Sequence, residues 1–370
     1  MYKIKTNLKN TNTININEVV GNYKIAIDKA MANYFNNKLA DLKTEGVSRF
    51  TEEALEMLED FSTRQIKRIR GFLAWFTYDS LAKKPNIDTG KKLAIAIELI
   101  QSYLLIIDDV ADKSPFRRGK PTIHELYKQH YSLEKDPTSS NVMAVMVGLL
   151  AQHLANELIL GCEISSDRIK ATLTNLHKNI VQTCFGEIDD IMGPLTDSIL
   201  IKEDVYKIYK AKSSYYTFVN PIQTGISAAG IKNKTLTRTV QEYGLLAGVA
   251  FQIQDDIIGM FGDSREVGKS NLDDLKEGKN TLLVAYSRKM AKTHDVKFLN
   301  SMLGRPSVTK NQHAEVCQIM SECGALAKAE NEAVKLAGQA IKAISEAPLL
   351  SQEAKQVYKR LVEYSINRTY

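Results

Sequence analysis

The feature that most constrains this chain is a run of mostly apolar residues, Leu93 to Ile107, that ends in three carboxylates at Asp108, Asp109 and Asp112. Apolar on most sides, such a run reads as a long buried helix, from about Lys91 to Asp112. Its last turn sets Asp108 and Asp112 on one face, with Cβ atoms roughly 5–6 Å apart. Two carboxylates so placed repel each other unless a cation sits between them. Mg²⁺ takes oxygen ligands of this kind and fills its other positions with water or phosphate oxygens. Arg117, Arg118 and Lys120 follow directly, so acids and cations together suit a polyphosphate. Alone, a DDxxD is more often a solvated helix end. A second stretch, Phe251 to Gly259, tells against that reading. It repeats the pattern: an apolar run with Gln252, then Asp255 and Asp256, then the basic residues Lys269 and Lys279. Two acidic helix ends, each with its own cations, point to a cavity serving one diphosphate.

This pair of motifs resembles the two aspartate-rich motifs of the trans-isoprenyl diphosphate synthases, the family that makes farnesyl and geranylgeranyl diphosphate. The resemblance runs from about Asn33 to the C-terminus. It implies an all-α fold, a single large bundle of long helices around a central cavity (the type I isoprenoid synthase fold). Residues 1–20, rich in Lys, Asn and Thr, read as a polar extension, and residues 21–370 as one synthase domain.

Composition agrees with a large helical domain. Of 370 residues, 44% are hydrophobic and 25% charged, with only 20 Gly and 8 Pro, so turns are scarce and a large core is available. A net charge of +6 is compatible with anionic substrates but too diffuse to argue for nucleic acid. Cys162, Cys184, Cys317 and Cys323 form no CxxC pair and read as reduced thiols of a cytoplasmic protein. No run approaches the roughly 18–20 apolar residues of a membrane span.

Taken in order, Arg64 to Arg70 is a basic cluster, with Lys67 and Arg70 expected on one helical face. The resemblance gives these two the diphosphate of isopentenyl diphosphate. The family's preceding Gly-Gly is Gln65-Ile66 here, which puts the loop geometry in question. Gln101, in Glu98-Leu99-Ile100-Gln101, is implied at the same substrate site, together with Arg118. Ser132 to Asn141 reads as a polar loop and Val142 to Leu160 as a buried helix. A further helix, Ile169 to Met192, carries Glu187 and Asp190, which the resemblance places along the cavity, not at a metal. Lys212 and Ser213 fill the family's Lys-Thr places beside the allylic diphosphate, and Pro221 is expected to break or kink that helix. In the second motif the third acid is Gly259, leaving Asp255 and Asp256 as metal candidates. Lys269, Asp274 and Lys279 match the basic segment that follows. A helix is expected over His313–Ala347, its alanine-rich part packing peripherally, and Arg368 matches a C-terminal basic position.

The implied reaction is a Mg²⁺-dependent head-to-tail prenyl transfer. Three Mg²⁺ ions, with Mn²⁺ as a substitute, bridge Asp108, Asp109, Asp112, Asp255 and Asp256 to an allylic diphosphate (dimethylallyl, geranyl or farnesyl). Arg117, Lys212 and Lys269 neutralise further oxygens, and the double bond of isopentenyl diphosphate attacks the allylic cation. The family is usually homodimeric. Tyr103 and Leu104, five and four residues before Asp108, are expected to floor the chain-elongation cavity, giving C20 product with C15 as the nearest alternative. A class I terpene cyclase, a non-catalytic partner subunit and a plain helical scaffold are the competing readings. The cyclase would need a different second motif, and the partner subunit would have lost the aspartates.

Overall fold

Asn15 accepts hydrogen bonds from the backbone N–H groups of Asn17 and Glu18 and so starts α1 (Ile16–Glu45), as a short amide side chain does at a helix N-terminus. Helix therefore begins inside the stretch read as a polar extension, because LKNTNTININ contains its own cap. The computed structural model describes residues 14–196, 199–262 and 271–368. They divide into two compact units, Met1–Leu176 with Pro221–Lys232, and His177–Asn220 with Asn233–Tyr370.

In the first unit, α1 buries Val19, Tyr23, Ile27, Met31 and Phe35, a single stripe four residues apart. It packs with α2 (Arg49–Thr63), α3 (Ile69–Leu81) and α4 (Ile87–Ala111). Asn86 caps α4, which starts four residues before the expected Lys91. Every α4 residue from Leu93 to Ser102 is buried, so this helix is the core of its unit. The two-residue strands β1 (Phe116–Arg117) and β2 (Lys120–Pro121) pair antiparallel, and α5 (Ile123–His130) follows.

The expected loop Ser132–Asn141 is shorter than read. Asp136 caps α6 (Pro137–Leu160) through the Ser139 N–H, with Pro137 in the first turn, where its missing N–H costs nothing. α6 is long and apolar enough to cross a membrane by length and composition alone, with 44% of its apolar window buried, and it packs along α4. α7 (Ser166–Leu195) begins in the first unit and ends in the second, and α9 (Asn220–Ala228) lies in the first apart from Asn220.

The second unit continues with α8 (Lys202–Ile208) and a π-helix over Tyr209–Val219. The helix is thus not broken at Pro221. The chain enters α9 from π register, with Asn220 N–H bonded to the Tyr215 carbonyl. The π segment lies directly on α10 (Lys234–Phe261): a Cβ added at Gly248 would come within 2.3 Å of Ser214 Cα. Next come α11 (Asp273–Lys276), α12 (Leu282–Met290), α13 (Thr293–Met302), α14 (Lys310–Glu322), α15 (Ala325–Ser345) and α16 (Gln352–Ile366). The single helix expected over His313–Ala347 is split at Cys323-Gly324. Its alanines are not peripheral. Ala325, Ala329, Ala333, Ala337 and Ala340 are buried, and α15 packs along α10, the helix that carries the second motif.

Candidate active site

The three acids of the first motif have different surroundings. Asp108 is partly exposed, and Asp112 forms the C-cap of α4. Asp109 points inward and is 1% exposed. Arg117 serves both neighbours, with Nη2 on Asp108 Oδ2 at 2.9 Å and Nε on Asp109 Oδ1 at 2.7 Å. Burial pulls the Arg117 guanidinium down, but Asp109 and Asp108 outweigh it and hold it above its ordinary value.

Arg117 is aimed by the β1–β2 hairpin. Its turn residues Arg118 and Gly119 have φ of 57° and 72°, the two positive values a type I′ turn needs. Arg64, which sequence reasoning left as part of a generic basic cluster, holds this hairpin. Its buried guanidinium donates to the carbonyls of Arg117 at 3.0 Å and Pro121 at 2.8 Å while pairing with Asp60.

Lys67 and Arg70 do not share a helical face as expected. Lys67 precedes α3, and Arg70 lies in its first turn. Between them Arg68 takes a left-handed conformation, φ 53°, which non-glycine residues rarely adopt. Three contacts of its buried guanidinium hold it there: Asp28 Oδ1 at 2.7 Å, the Ser62 carbonyl at 2.8 Å and Glu98 Oε2 at 3.0 Å. Glu98 also accepts from Gly71 N–H at 2.8 Å, which ties the start of α3 to α4. Gln101, one turn further along α4, is buried. Arg118 donates to the Phe61 carbonyl and lies 5.9 Å from the Phe61 ring centre. Burial first, and then the charges of Arg117, Arg68 and Arg70, pull its guanidinium down to about 10 against the opposite pull of Glu98. This is a cation-rich corner beside one acidic helix end.

In the second unit, the Lys212 ammonium lies between Glu187 Oε1 at 3.1 Å and Asp190 Oδ2 at 2.7 Å. Ser213 Oγ donates to Gln252 Oε1 at 2.6 Å, and Gln252 Nε2 donates to Asp256 Oδ1 at 2.8 Å. Asp256 also accepts from the Tyr209 hydroxyl. Burial, then the charge of Asp274, pushes the Asp256 carboxyl well above the usual carboxylate range, against the hydrogen bonds from Tyr209 and Gln252. Asp255 is partly exposed and pairs with Arg368, whose guanidinium stacks 3.9 Å over the Phe251 ring. In each motif, one aspartate is therefore buried while its neighbour, paired with an arginine, is partly exposed. Tyr209 and Arg64 are the residues that sequence reasoning missed. A tyrosine in an amphipathic pattern and one arginine among several carry no distinguishing signal. Lys269 lies outside the described residues. Lys279 pairs with Glu277 at 2.7 Å, and Tyr103 and Leu104 lie half-buried on α4.

Residues 51–320 match the family model for polyprenyl synthetase. The chain is 29% identical over 255 residues to a short chain isoprenyl diphosphate synthase of Methanocaldococcus jannaschii, covering 69% of this chain and 72% of that one. It is 26% identical to a geranylgeranyl diphosphate synthase of Sulfolobus acidocaldarius, covering 91% and 98%. The crystal structure of a Corynebacterium glutamicum geranylgeranyl pyrophosphate synthase, complexed with isoprenyl diphosphate and magnesium, superposes with a TM-score of 0.86 over 96% of this chain and 100% of that one, at 22% identity. The fold is the all-α type I isoprenoid fold, and the chain belongs to the polyprenyl synthetase family as an enzyme of the short-chain trans-prenyltransferase type.

Proposed function

We propose that this enzyme joins isopentenyl diphosphate head-to-tail to an allylic diphosphate (dimethylallyl, geranyl or farnesyl diphosphate) and releases mainly the C20 prenyl diphosphate, with C15 as the lesser product. The observation that carries this reading is the crowding of Arg68, Arg70, Arg117 and Arg118 around one acidic helix end, where burial first, and the neighbouring guanidinium charges after it, pull Arg118 down to about 10 against Glu98. A diphosphate would relieve that repulsion with charge-assisted, bidentate hydrogen bonds.

The donor set fits Mg²⁺. Among the described residues no three His, Cys, Asp or Glu side chains enclose an ion. Mg²⁺ needs only one or two protein carboxylates when water and substrate phosphates complete its shell. Asp108 and Asp112 on the first motif and Asp255 on the second are the partly exposed carboxylates that would hold it, supported by Asp109 and Asp256. Three ions, or Mn²⁺ in their place, would neutralise the departing pyrophosphate.

Lys212 and Arg117 neutralise allylic diphosphate oxygens, joined by Lys269 and Lys279 on this reading. Ser213 and Gln252 orient that side of the site. Lys67, Arg70, Gln101 and Arg118 hold isopentenyl diphosphate so that its double bond meets the allylic carbon. The isopentenyl double bond is itself the nucleophile and the proton lost on bond formation leaves with pyrophosphate, so neither a protein nucleophile nor a protein base is required.

Residues 21–370 act as one synthase domain in the cytoplasm on this reading, as a homodimer. Support for the dimer comes from α7, where Val181, Phe185, Ile188, Met192 and Leu195 are all exposed at spacings that line one face. The test of function is product analysis with purified protein, Mg²⁺, isopentenyl diphosphate and each allylic starter. Formation of C20 prenyl diphosphate supports the proposal, and absence of any elongated product from every starter overturns it.

A further inference from the structure

A lone pair of short strands is marginally stable at best in water. The β1–β2 hairpin has only two residues in each strand, yet it carries two cations that face different ways. Arg117 turns to Asp108 and Asp109. Arg118, the next residue, turns to the carbonyl and ring of Phe61 in the last turn of α2. Whatever fixes this short backbone fixes both guanidinium groups at once.

One side chain from outside the hairpin grips both of its strands. Arg64 is the C-cap of α2, and its side chain is 2% exposed. Its Nη1 donates to the Arg117 carbonyl on β1 at 3.0 Å, and its Nη2 donates to the Pro121 carbonyl on β2 at 2.8 Å. Nε and Nη2 also donate to Asp60 Oδ2, at 3.1 and 2.9 Å. The other oxygen of Asp60 accepts from the Lys120 ammonium, which ties β2 to α2 a second time. The Arg64 guanidinium lies 5.0 Å from the centre of the Phe61 ring, the ring that Arg118 also approaches. A planar guanidinium holds its donors in a fixed fork, so it can serve two carbonyls and a carboxylate together. The compact ammonium of lysine cannot.

We infer that Arg64 is a positioning residue shared by the two substrates. By holding both strands it sets Arg117 for the allylic diphosphate and Arg118 for isopentenyl diphosphate, and it acts through the hairpin backbone, not by touching either substrate. This rests on the functional reading above. It separates Arg64 from the cations around it, since Lys67 and Arg70 serve one substrate and Lys212 the other. It also makes Arg64 non-additive with the two hairpin arginines, as groups that act through one another are.

The test is steady-state kinetics on the full chain with each substrate varied in turn, and circular dichroism to confirm folding. Arg64→Gln should raise the KM for isopentenyl diphosphate and the KM for the allylic diphosphate by roughly tenfold each, the effect of misaligning one charge-assisted hydrogen bond. Added to Arg117→Ala, it should raise the allylic KM little further. Added to Arg118→Ala, it should do the same for isopentenyl diphosphate. Asp60→Asn should move both KM values in the same direction. Arg64→Lys keeps the charge on Asp60 without spanning the two carbonyls, so it should fold and still show both defects, which keeps the test open if Arg64→Gln proves unstable. A folded Arg64→Lys or Arg64→Gln enzyme with either KM at the wild-type value would overturn this inference alone. So would full additivity with both Arg117→Ala and Arg118→Ala, which would make Arg64 an independent contact. A wild-type protein that elongates no allylic starter would overturn the functional reading and this inference with it.

Discussion

Arg117 Nε donates to Asp109 Oδ1 at 2.7 Å, and through this bond the inward-facing acid of the first motif gains its counter-charge below the surface. Asp109 is 1% exposed, so removing the guanidinium leaves a carboxylate with neither water nor its cation. Breaking a buried pair on one side typically costs about 3–5 kcal/mol. Arg117→Ala should lower stability in urea by about 3 kcal/mol, and Asp109→Asn in that background should recover much of it. An Arg117→Ala protein as stable as wild type would show that the pair is not a structural support.

The two cation sets should separate kinetically. Lys67→Ala and Arg70→Ala are expected to raise the KM for isopentenyl diphosphate by at least tenfold, the loss of one charge-assisted contact of about 1.4 kcal/mol or more. Lys212→Ala should act mainly on the allylic substrate, because Lys212 sits between Glu187 and Asp190 in the second unit. Steady-state kinetics with each substrate varied in turn checks this. A Lys67→Ala enzyme impaired only toward the allylic substrate would reverse the assignment.

Product length is expected to depend on α4 just before its acidic end. One helical turn rises about 5.4 Å, close to one isoprene unit, so residues a turn above Asp108 decide where the tail stops. Tyr103→Ala should shift product beyond C20, and Leu104→Phe should shift it toward C15, read by chromatography of the dephosphorylated alcohols. An unchanged distribution in Tyr103→Ala would place the floor on another helix.

Stability should carry a pH signature from Asp79. Burial raises its carboxyl from 3.8 to about 6, against the hydrogen bond from the Tyr23 hydroxyl at 3.0 Å. A folded value above the unfolded one means that the folded state holds the proton more tightly. The contribution is fully present below about pH 4 and is lost as pH rises through about 6. Asp79→Asn should therefore match wild type near pH 4 and exceed it by about 1–3 kcal/mol at pH 7.5. Denaturant titrations of both proteins across that range measure the difference directly. A constant gap at all pH values would exclude the titration as its source.

The sequence makes the helices and the acidic ends legible because burial and carboxylate spacing are written in residue type. It is less informative where backbone conformation is decided by distant partners. Lys67 and Arg70 are three apart and so look like helix neighbours. Arg68 turns left-handed between them only because Asp28, Ser62 and Glu98 grip its guanidinium. The same holds for Asp109 and Asp256. Each is adjacent to a partly exposed acid of the same type, and only packing distinguishes the buried member.

The π-helix over Tyr209–Val219 makes chain length, as well as residue identity, a sensitive variable in that stretch. Each residue of an α-helix turns the chain by roughly 100°. Deleting one residue between Tyr209 and Val219 would let the segment relax into α register and rotate one side of it by about that angle. Lys212 could not then stay between Glu187 and Asp190 while Ser213 stayed on Gln252. A one-residue gap in any variant of this chain should therefore mark a disabled allylic site and not a trimmed connection.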